Sequence, residues 1–198
     1  MRVSGARLLS AAVVVGLASV VSAAWATTID FDDQAAPCYF ADQVPLTTAY
    51  SGLGVTFGPS DGMEVLDECG VFSVTGYSGT NVLAWNTCCV GSTTETLTFS
   101  PAVRNFAINV GSPYGGTTTA RAYDSGGVLL ETVVQTMGSQ LTTLALLVQG
   151  ITTVELEVDS PASAGGAWDD LSFTPCVDSD GDGVSDCESD CDETDPLV

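Results

Sequence analysis

Hydrophobic and polar positions alternate in short runs along residues 27–175. Each run is rich in Val, Ile, Thr, Phe or Tyr and is bounded by Gly, Ser, Asp or Pro, which is the pattern of β-strands. No stretch after the first 26 residues keeps a helical period for ten residues. The pattern predicts eleven strands, at residues 28–31, 54–57, 71–75, 81–85, 95–99, 103–110, 118–123, 128–135, 142–148, 152–158 and 167–173.

The alternation also predicts which side chains face the core. The predicted inward positions include Phe106, Ile108, Val110, Val154, Leu156 and Val158. Glu155 and Glu157 fall on the opposite face of their strand. Turn residues at 124–127 and 149–150 predict two hairpins. Eleven short strands in one domain favour an all-β, two-sheet antiparallel sandwich of the jelly-roll type.

The first 26 residues have the composition of an export signal. Two arginines precede an apolar run over residues 8–21, and the small-x-small sequence Ala24-Trp25-Ala26 follows it. This pattern predicts a cleaved secretory signal peptide, and an uncleaved anchor is the alternative that the short apolar run disfavours. We therefore expect an exported chain with no membrane insertion after cleavage. The predicted organisation is a signal peptide at 1–26, a β-sandwich at 27–175 and an acidic tail at 176–198.

The charged and ionisable residues of the chain exclude several classes of function. Without the signal peptide, Arg104 and Arg121 stand against 25 acidic residues, and the chain contains no lysine and no histidine. Such a negative field repels nucleic acids and anionic lipid and attracts cations. The absence of histidine excludes Ser-His-Asp and Cys-His catalytic systems and imidazole metal sites. A carboxylate-pair hydrolase remains an alternative, but no pattern selects a pair. We expect a protein that is not an enzyme.

The last 23 residues contain the spacing of a calcium loop. The candidate ligands at positions one, three, five, seven and nine are Asp178, Asp180, Asp182, the carbonyl of Val184, and Asp186. Gly183 at position six permits the sharp turn that such loops need. Position twelve is Ser189, so Glu188 or Asp190 is expected to substitute there. The alternative is a solvated, disordered acidic tail, which has no need of this spacing.

All seven cysteines lie beyond the signal peptide, at Cys38, Cys69, Cys88, Cys89, Cys176, Cys187 and Cys191. Export permits disulfides, and the odd number leaves at least one cysteine without a partner in the chain. Four cysteines in the body and three in the tail favour separate frameworks. Because Cys88 and Cys89 are adjacent, we expect each to bond elsewhere, with Cys38 and Cys69 as the available partners. A zinc site is the alternative, although the chain has no CxxC pair.

Several blocks of the body together resemble a known domain type. The blocks are IDFDD at 29–33, YSGLGVTFG at 50–58, NVLAWN at 81–86, LTFSPAVRNFAINVG at 97–111, ARAYDSGGVLLET at 120–132 and AWDDLSF at 167–173. In order and spacing they resemble secreted bacterial β-sandwich domains of the galactose-binding-like, carbohydrate-module type. The resemblance implies the fold, and it leaves carbohydrate binding, adhesion and purely structural roles open.

The same resemblance implies a calcium site within the sandwich. In such domains the first and last strands often share a structural calcium ion, and five aspartates occupy the corresponding blocks here: Asp30, Asp32, Asp33, Asp169 and Asp170. Asp32 and Asp170 are the expected ligands. The alternative is that Asp169 and Asp170 cap an edge strand and face water.

The tail resembles two secreted repeat families. CVDSDGDGVSDCESDC is similar to the start of a thrombospondin type 3 repeat, whose aspartates bind calcium. DCDETDPLV is similar to the Asp-Cys-Asp metal-binding repeat of exported bacterial proteins. Copper has been linked to that second family, but with no His or Met near these aspartates, oxygen ligands and Ca²⁺ fit better.

Aromatic residues supply the remaining candidate chemistry. Trp85, Trp168, Tyr77, Tyr114 and Tyr123 are candidates for stacking on sugar rings, and core packing is the alternative for each. Tyr114, in the turn-rich GSPYGG at 111–116, is expected to be exposed, and with Trp85 it is the predicted ligand contact. The expected function is a secreted, calcium-binding, non-catalytic module for carbohydrate or cell-surface proteins. A surface-structural protein without a glycan ligand and a polysaccharide hydrolase are the alternatives.

Overall fold

The computed structural model describes residues 25–39, 44–58, 63–85, 94–159, 165–178 and 184–187. These residues form eleven β-strands and one 3-10 turn at Ser51–Leu53. The strands are β1 Thr27–Ile29, β2 Val44–Pro45, β3 Val55–Phe57, β4 Met63–Asp67, β5 Asn81–Trp85, β6 Thr94–Gly111, β7 Thr117–Tyr123, β8 Leu129–Thr136, β9 Thr142–Leu146, β10 Ile151–Asp159 and β11 Ala167–Pro175. No helix among the described residues has the length and apolar character needed to cross a membrane.

The long strand β6 links two sheets. Its first half pairs with β3 and β10, and β10 continues to β7 and β8; we call these strands the first sheet. Its second half pairs with β11 and β9, and β11 continues to β5, β4 and β2, with β1 also on β11; these strands form the second sheet. Every ladder is antiparallel, so the predicted all-β, two-sheet antiparallel sandwich is confirmed.

The core lies between the two sheets and follows the predicted alternation. Phe106, Ile108 and Val110 are fully buried, and the β10 positions at 154, 156 and 158 are buried as well. Phe99 meets Phe106 and Phe173 edge to face, with ring centroids 6.1 and 5.1 Å apart. A smaller cluster lies on the other face of the second sheet and comprises Val74, Val82, Leu141 and Ala167.

One predicted strand is absent from the structure, and two others are parts of a single strand. Residues 71–75 form no strand, although Thr75 makes a single bridge to Gln140. This segment instead packs Phe72 and Val74 over the outer face of the second sheet. The strands predicted at 95–99 and 103–110 are one strand, β6, and β2 and β4 were not predicted.

One of the two predicted hairpins is also wrong. Residues 124–127 join β7 to β8, which pair directly, as expected. Residues 149–150 join β9 to β10, but those two strands do not pair with each other. They pair with opposite halves of β6, because the chain crosses between the sheets at this point.

Candidate functional site

Three aspartates meet the loop that precedes β5, and we call Asp32, Asp169 and Asp170 the Asp site. Asp32 Oδ1 accepts hydrogen bonds from the Thr80 and Asn81 N–H groups, at 2.9 Å each. Asp169 Oδ2 accepts from the N–H and hydroxyl of Ser78, at 2.5 and 3.0 Å. The same hydroxyl lies 2.9 Å from Asp170 Oδ1. Carboxylates that follow the first strand and lie on the last strand therefore bond to the same loop, residues 78–81.

Local backbone geometry explains this convergence. β1 pairs with β11, which brings the segment after Ile29 beside the middle of the last strand. The β11 register shifts between Asp169 and Ser172, and Asp170 adopts a φ of 51°, so the two neighbouring aspartates can both approach Ser78. Glycine is favoured at position 79, because φ there is 48° and a Cβ would lie 1.4 Å from Asp32 Oδ2, so another residue would strain the backbone and displace this carboxylate.

Burial makes the Asp169 carboxylate the unusual member of the Asp site. Asp169 is fully buried, and its Oδ1 has no hydrogen-bond partner in the described part of the chain. Burial raises the pKa of Asp169 to about 6, and the neighbouring charge of Asp170 acts in the same direction. The alternative in which both aspartates face water is therefore wrong for Asp169. A buried carboxylate oxygen without a donor fits a hard cation such as Ca²⁺.

The Asp site is less compact than a fully assembled metal centre. Two groups of three ligand-type atoms within 4.8 Å occur in the described part of the chain, Cys38–Asp67–Cys69 and Cys176–Asp186–Cys187. In both groups the sulfur atoms form a disulfide, so neither offers thiolates for zinc. Within the Asp site, Asp169 and Asp170 both bond to Ser78, at one end of the 78–81 loop. Asp32 bonds to Thr80 and Asn81, at the other end of that loop.

The start of the tail is fastened to the sandwich by a short stem. Cys176 and Cys187 form a disulfide, and Val177 and Asp186 exchange hydrogen bonds, Val177 N–H to Asp186 Oδ1 at 3.0 Å and Asp186 N–H to the Val177 carbonyl at 2.9 Å. Arg104 Nη2 on β6 lies 2.7 Å from Asp186 Oδ2. Both oxygens of the predicted position-nine ligand therefore bond to protein groups.

The other predicted tail ligands are described only in part. Asp178 and Val184 lie within the loop that this stem closes. Asp180, Asp182 and Asp190 lie outside the described residues, so the calcium loop stays a prediction. The predicted separation of body and tail disulfides agrees with Cys176–Cys187.

The body disulfide corrects one expectation. Cys38 bonds to Cys69, so neither is the partner of Cys88 or Cys89. The two cysteines meet because the Asp67 N–H donates to the Pro37 carbonyl at 3.0 Å, which places the chain before Cys38 beside the end of β4. Cys88, Cys89 and Cys191 lie outside the described residues.

The aromatic residues predicted to contact a ligand differ in their exposure to solvent. Tyr114 is 61% exposed in the loop between β6 and β7, as expected. Trp168 is fully buried in the core, so it offers no surface to a ligand. Trp85 ends β5, and its side chain lies outside the described part of the structure.

A polar face that the sequence did not single out covers the outside of the first sheet. We define the polar face by the outward side chains of β6, β10 and β7: Thr96, Thr98, Thr153, Glu155, Glu157, Arg121 and Tyr123. Tyr123 OH donates to Glu155 Oε2 at 2.8 Å, and Arg121 Nη2 lies 2.7 Å from Glu157 Oε2. The hydrogen bond to Glu155 raises the pKa of Tyr123, so the phenol stays neutral at physiological pH.

The polar face could be found only in part from sequence. Alternation predicted that Glu155 and Glu157 point outward, and the structure confirms it. The register that sets Arg121 opposite Glu155, and Tyr123 opposite Thr153, joins strands about thirty residues apart. No local pattern specifies such a register, which depends on tertiary packing.

Comparison with known proteins supports the fold. No protein-family model and no curated protein sequence matches the chain. A DUF4465 family protein from Bacteroides caccae aligns over 76% of this chain and 99% of its own, with 12% identity and a TM-score of 0.50. This similarity supports a β-sandwich fold of the expected kind, and at such low identity it supports the fold alone.

Two further solved structures align less well. The K2 cleaved adhesin domain of Lys-gingipain covers 76% of this chain and 99% of its own, with 13% identity and a TM-score of 0.46. The C-terminal family 22 carbohydrate-binding module of Clostridium thermocellum Xyn10B covers 62% and 86%, with 15% identity and a TM-score of 0.41. Both TM-scores are below 0.5, so neither alignment carries an argument about this chain.

Proposed function

We propose that this protein is an exported, non-catalytic module that binds a carbohydrate chain on the polar face and is stabilised by calcium. The observation that carries the proposal is the pair of side-chain contacts on that face, Tyr123 with Glu155 and Arg121 with Glu157. Each contact fixes a polar group on a rigid strand before any ligand arrives. Fixed groups lose little conformational entropy on binding, which favours recognition of a hydroxyl-rich ligand.

The chemistry of the polar face suits a glycan. Sugar hydroxyls both donate and accept hydrogen bonds, and the face offers carboxylates, a guanidinium and rows of threonine hydroxyls for both purposes. Tyr123, at one end of the face, adds a ring against which the apolar side of a sugar can pack. Thr56 on β3 lies opposite Thr98 and extends the polar surface by one strand.

Calcium is the second part of the proposal. Asp169 and Asp170, with Asp32 across the 78–81 loop, would hold one ion, and the unpartnered Asp169 Oδ1 supports this assignment. The ion would neutralise buried negative charge between the first and last strands. The tail loop, with Asp178, Asp180, Asp182, the Val184 carbonyl and Asp190, would hold a second ion, as its thrombospondin-like spacing suggests.

Export is the third part, and the disulfides support it. Cys38–Cys69 and Cys176–Cys187 are expected to persist only in an oxidising compartment. Together with the predicted signal peptide, they favour a secreted or cell-surface location. The partners proposed are carbohydrates or glycosylated surface proteins.

A glycan array, probed with the mature protein in calcium and in chelator, tests the carbohydrate proposal. We expect saturable binding that Tyr123→Ala weakens by about tenfold or more, because a stacking contact is worth on the order of 1–2 kcal/mol. Tyr114→Ala is the matched control, since it removes an exposed tyrosine outside the polar face. Binding that Tyr114→Ala abolishes and Tyr123→Ala leaves intact would place the ligand at the loop instead.

Two other outcomes of the same experiment contradict the proposal. No glycan signal under either condition would favour the surface-structural alternative. Turnover of a polysaccharide would favour the hydrolase alternative, with Glu155 and Glu157, two positions apart on one face, as the first carboxylate pair to substitute.

A further inference from the structure

We propose that the polar face selects a glycan whose sugars carry protonated amino groups, an inference that rests on the proposed carbohydrate function and names its ligand class. Strand β10, which lies between β6 and β7, carries Glu155, Glu157 and Asp159, and we call these three residues the β10 row. They alternate with buried residues, so all three point outward. The charge of this row is what separates one class of glycan from another.

The chain holds too few cations to balance the β10 row. Beyond residue 7 its basic residues are Arg104 and Arg121, and it contains no lysine or histidine. Arg104 is paired in the stem of the tail. Arg121 pairs with Glu157, and its single positive charge balances one carboxylate of the row. Any further neutralisation of the row must come from outside the chain.

Two members of the row have no cationic partner. Glu155 accepts a hydrogen bond from Tyr123, whose neutral phenol brings no positive charge. Asp159 forms no ion pair in the described part of the structure. Carboxylates without a nearby cation attract positively charged ligands and repel negatively charged ones. The polar face therefore favours a cationic ligand.

The spacing of the row favours several separate ligand charges over one metal ion. Successive members are two residues apart, which is about 7 Å along a strand. Each glutamate leans one step along β7, Glu155 to Tyr123 and Glu157 to Arg121, so the two carboxylates stay apart. Oxygens that share one Ca²⁺ must converge to within about 5 Å of each other. No cluster of three ligand atoms within 4.8 Å includes a member of the row, as far as the chain is described.

The rest of the polar face suits a sugar better than a basic protein. Its other outward groups are the hydroxyls of Thr96, Thr98 and Thr153 and the ring of Tyr123. Interfaces between proteins usually have an apolar, aromatic centre, which this face lacks. Threonine hydroxyls can donate to and accept from sugar hydroxyls, while carboxylates form charge-assisted hydrogen bonds with ammonium groups. A polymer of amino sugars offers both kinds of group on each ring.

The same chemistry disfavours two related classes of glycan. N-acetylation keeps the ring and its hydroxyls but removes the positive charge, as acetylation of lysine does. A uronic acid adds a carboxylate, which the β10 row and the net charge of −21 repel. A free amino group is therefore the feature that the face should select.

Isothermal titration calorimetry of the mature full-length protein, in calcium and at physiological ionic strength, tests the proposal. The probes are three oligosaccharides of equal length: a β-1,4-linked glucosamine oligomer, its fully N-acetylated counterpart and an oligogalacturonate. We expect the glucosamine oligomer to bind about tenfold more tightly than the acetylated one, or better, and the oligogalacturonate not to bind. Raising NaCl should weaken the binding of the glucosamine oligomer, because salt screens the attraction.

A matched pair of variants tests the assignment to the β10 row. Glu155→Gln removes one charge, and the amide oxygen can still accept from Tyr123. It should weaken binding of the glucosamine oligomer by about fivefold or more and leave the acetylated oligomer unaffected. Glu131→Gln makes the same change in net charge on the opposite face of the first sheet, where Glu131 aligns with the buried Ala122. This control should bind both oligomers as the wild type does.

The outcomes separate this proposal from the proposed function. Equal affinity for the two glucosamine-based oligomers would overturn the selectivity for amines and leave carbohydrate binding in place. Binding of none of the three probes would also overturn it, and the glycan array then decides whether any carbohydrate binds. Equal losses in Glu155→Gln and Glu131→Gln would show attraction by net charge alone. An oligolysine of equal charge that binds as tightly would overturn the glycan class and favour a basic protein as the partner.

Discussion

Asp169 and Asp170 show how one residue type takes two roles at neighbouring positions. Asp170 bonds to Ser78 and to the Asn109 side chain, and it is partly exposed. Asp169 is fully buried, with one oxygen that lacks a partner. The sequence identified both as candidate ligands but not which one is buried, because the register shift and the positive φ at Asp170 break the strand alternation.

Replacing Asp169 tests the calcium assignment at residue scale. At a calcium concentration of about a hundred times the dissociation constant, binding should stabilise the wild type by about 2.7 kcal/mol and raise its melting temperature by several degrees. Asp169→Asn should lose at least half of this calcium-dependent shift, because the amide supplies no charge to the ion. The measurement is calorimetric melting in calcium and in chelator, with Asp159→Asn at the exposed end of β10 as the control. An undiminished shift in Asp169→Asn would refute the assignment.

Glu95 supplies a pH prediction. It is buried on the core side of β6, its Oε1 has no hydrogen-bond partner in the described chain, and burial raises its pKa to about 8. A carboxyl whose pKa is higher in the folded state takes up a proton on folding. Its contribution to stability is therefore complete at acid pH and is lost as pH rises towards 8.

Glu95→Gln keeps the shape of the side chain and removes its ionisable group. The variant should gain stability relative to the wild type as pH rises from about 5 to about 8, with a slope approaching 1.4 kcal/mol per pH unit. Urea unfolding at pH 5, 7 and 9 measures this difference. A difference between variant and wild type that does not change with pH would show that Glu95 titrates normally in the folded protein.

At the scale of elements, strand boundaries were predicted well where hydrophobic and polar residues alternate clearly. They were predicted poorly where pairing with a distant strand sets the boundary. β5, β7, β8 and β10 were predicted to within one residue at each end. β6 was split at Pro101, although the strand continues through it and changes sheets there. β4 was missed because the acidic residues Glu64 and Asp67 interrupt its pattern, and burial of Glu64 depends on tertiary contacts.

The stem at the start of the tail gives a prediction about an element. Arg104→Gln removes the cation beside Asp186 and should lower the metal-free unfolding free energy by up to about 1 kcal/mol, the upper end of the range for partly exposed ion pairs. Saturating calcium should recover much of this loss, because an ion in the tail loop would supply positive charge near Asp186. Chemical unfolding in chelator and in calcium measures both effects.

Arg121, on the polar face, provides the control for that experiment. Arg121→Gln breaks the more exposed pair with Glu157, far from the tail in sequence, and its effect should be no larger and should not depend on calcium. Equal calcium dependence in the two variants would contradict a metal site in the tail.

At the scale of the whole molecule, the proposed function depends on two features: the pairing of strands that are distant in sequence, and the excess of negative charge. The polar face exists because β7 and β10, and then β10 and β6, align in one register. The alternation in sequence predicted that Glu155 and Glu157 face outward, but it could not predict that Arg121 and Tyr123 lie beside them. The charge balance, by contrast, is visible in composition alone, and it predicts a fold that repels itself when no cation is bound.

The excess of negative charge predicts how stability responds to salt. In chelator, raising NaCl to about 0.5 M should raise the melting temperature, because the Debye length shrinks to a few ångströms and repulsion between carboxylates is screened. If calcium binds as proposed, the same salt increase should have a smaller effect in saturating calcium, since the bound ions would already neutralise the most closely spaced carboxylates. Calorimetric scans at several NaCl concentrations, with and without calcium, provide the comparison. The same salt dependence under both conditions would mean that calcium does not bind where the negative charge is concentrated.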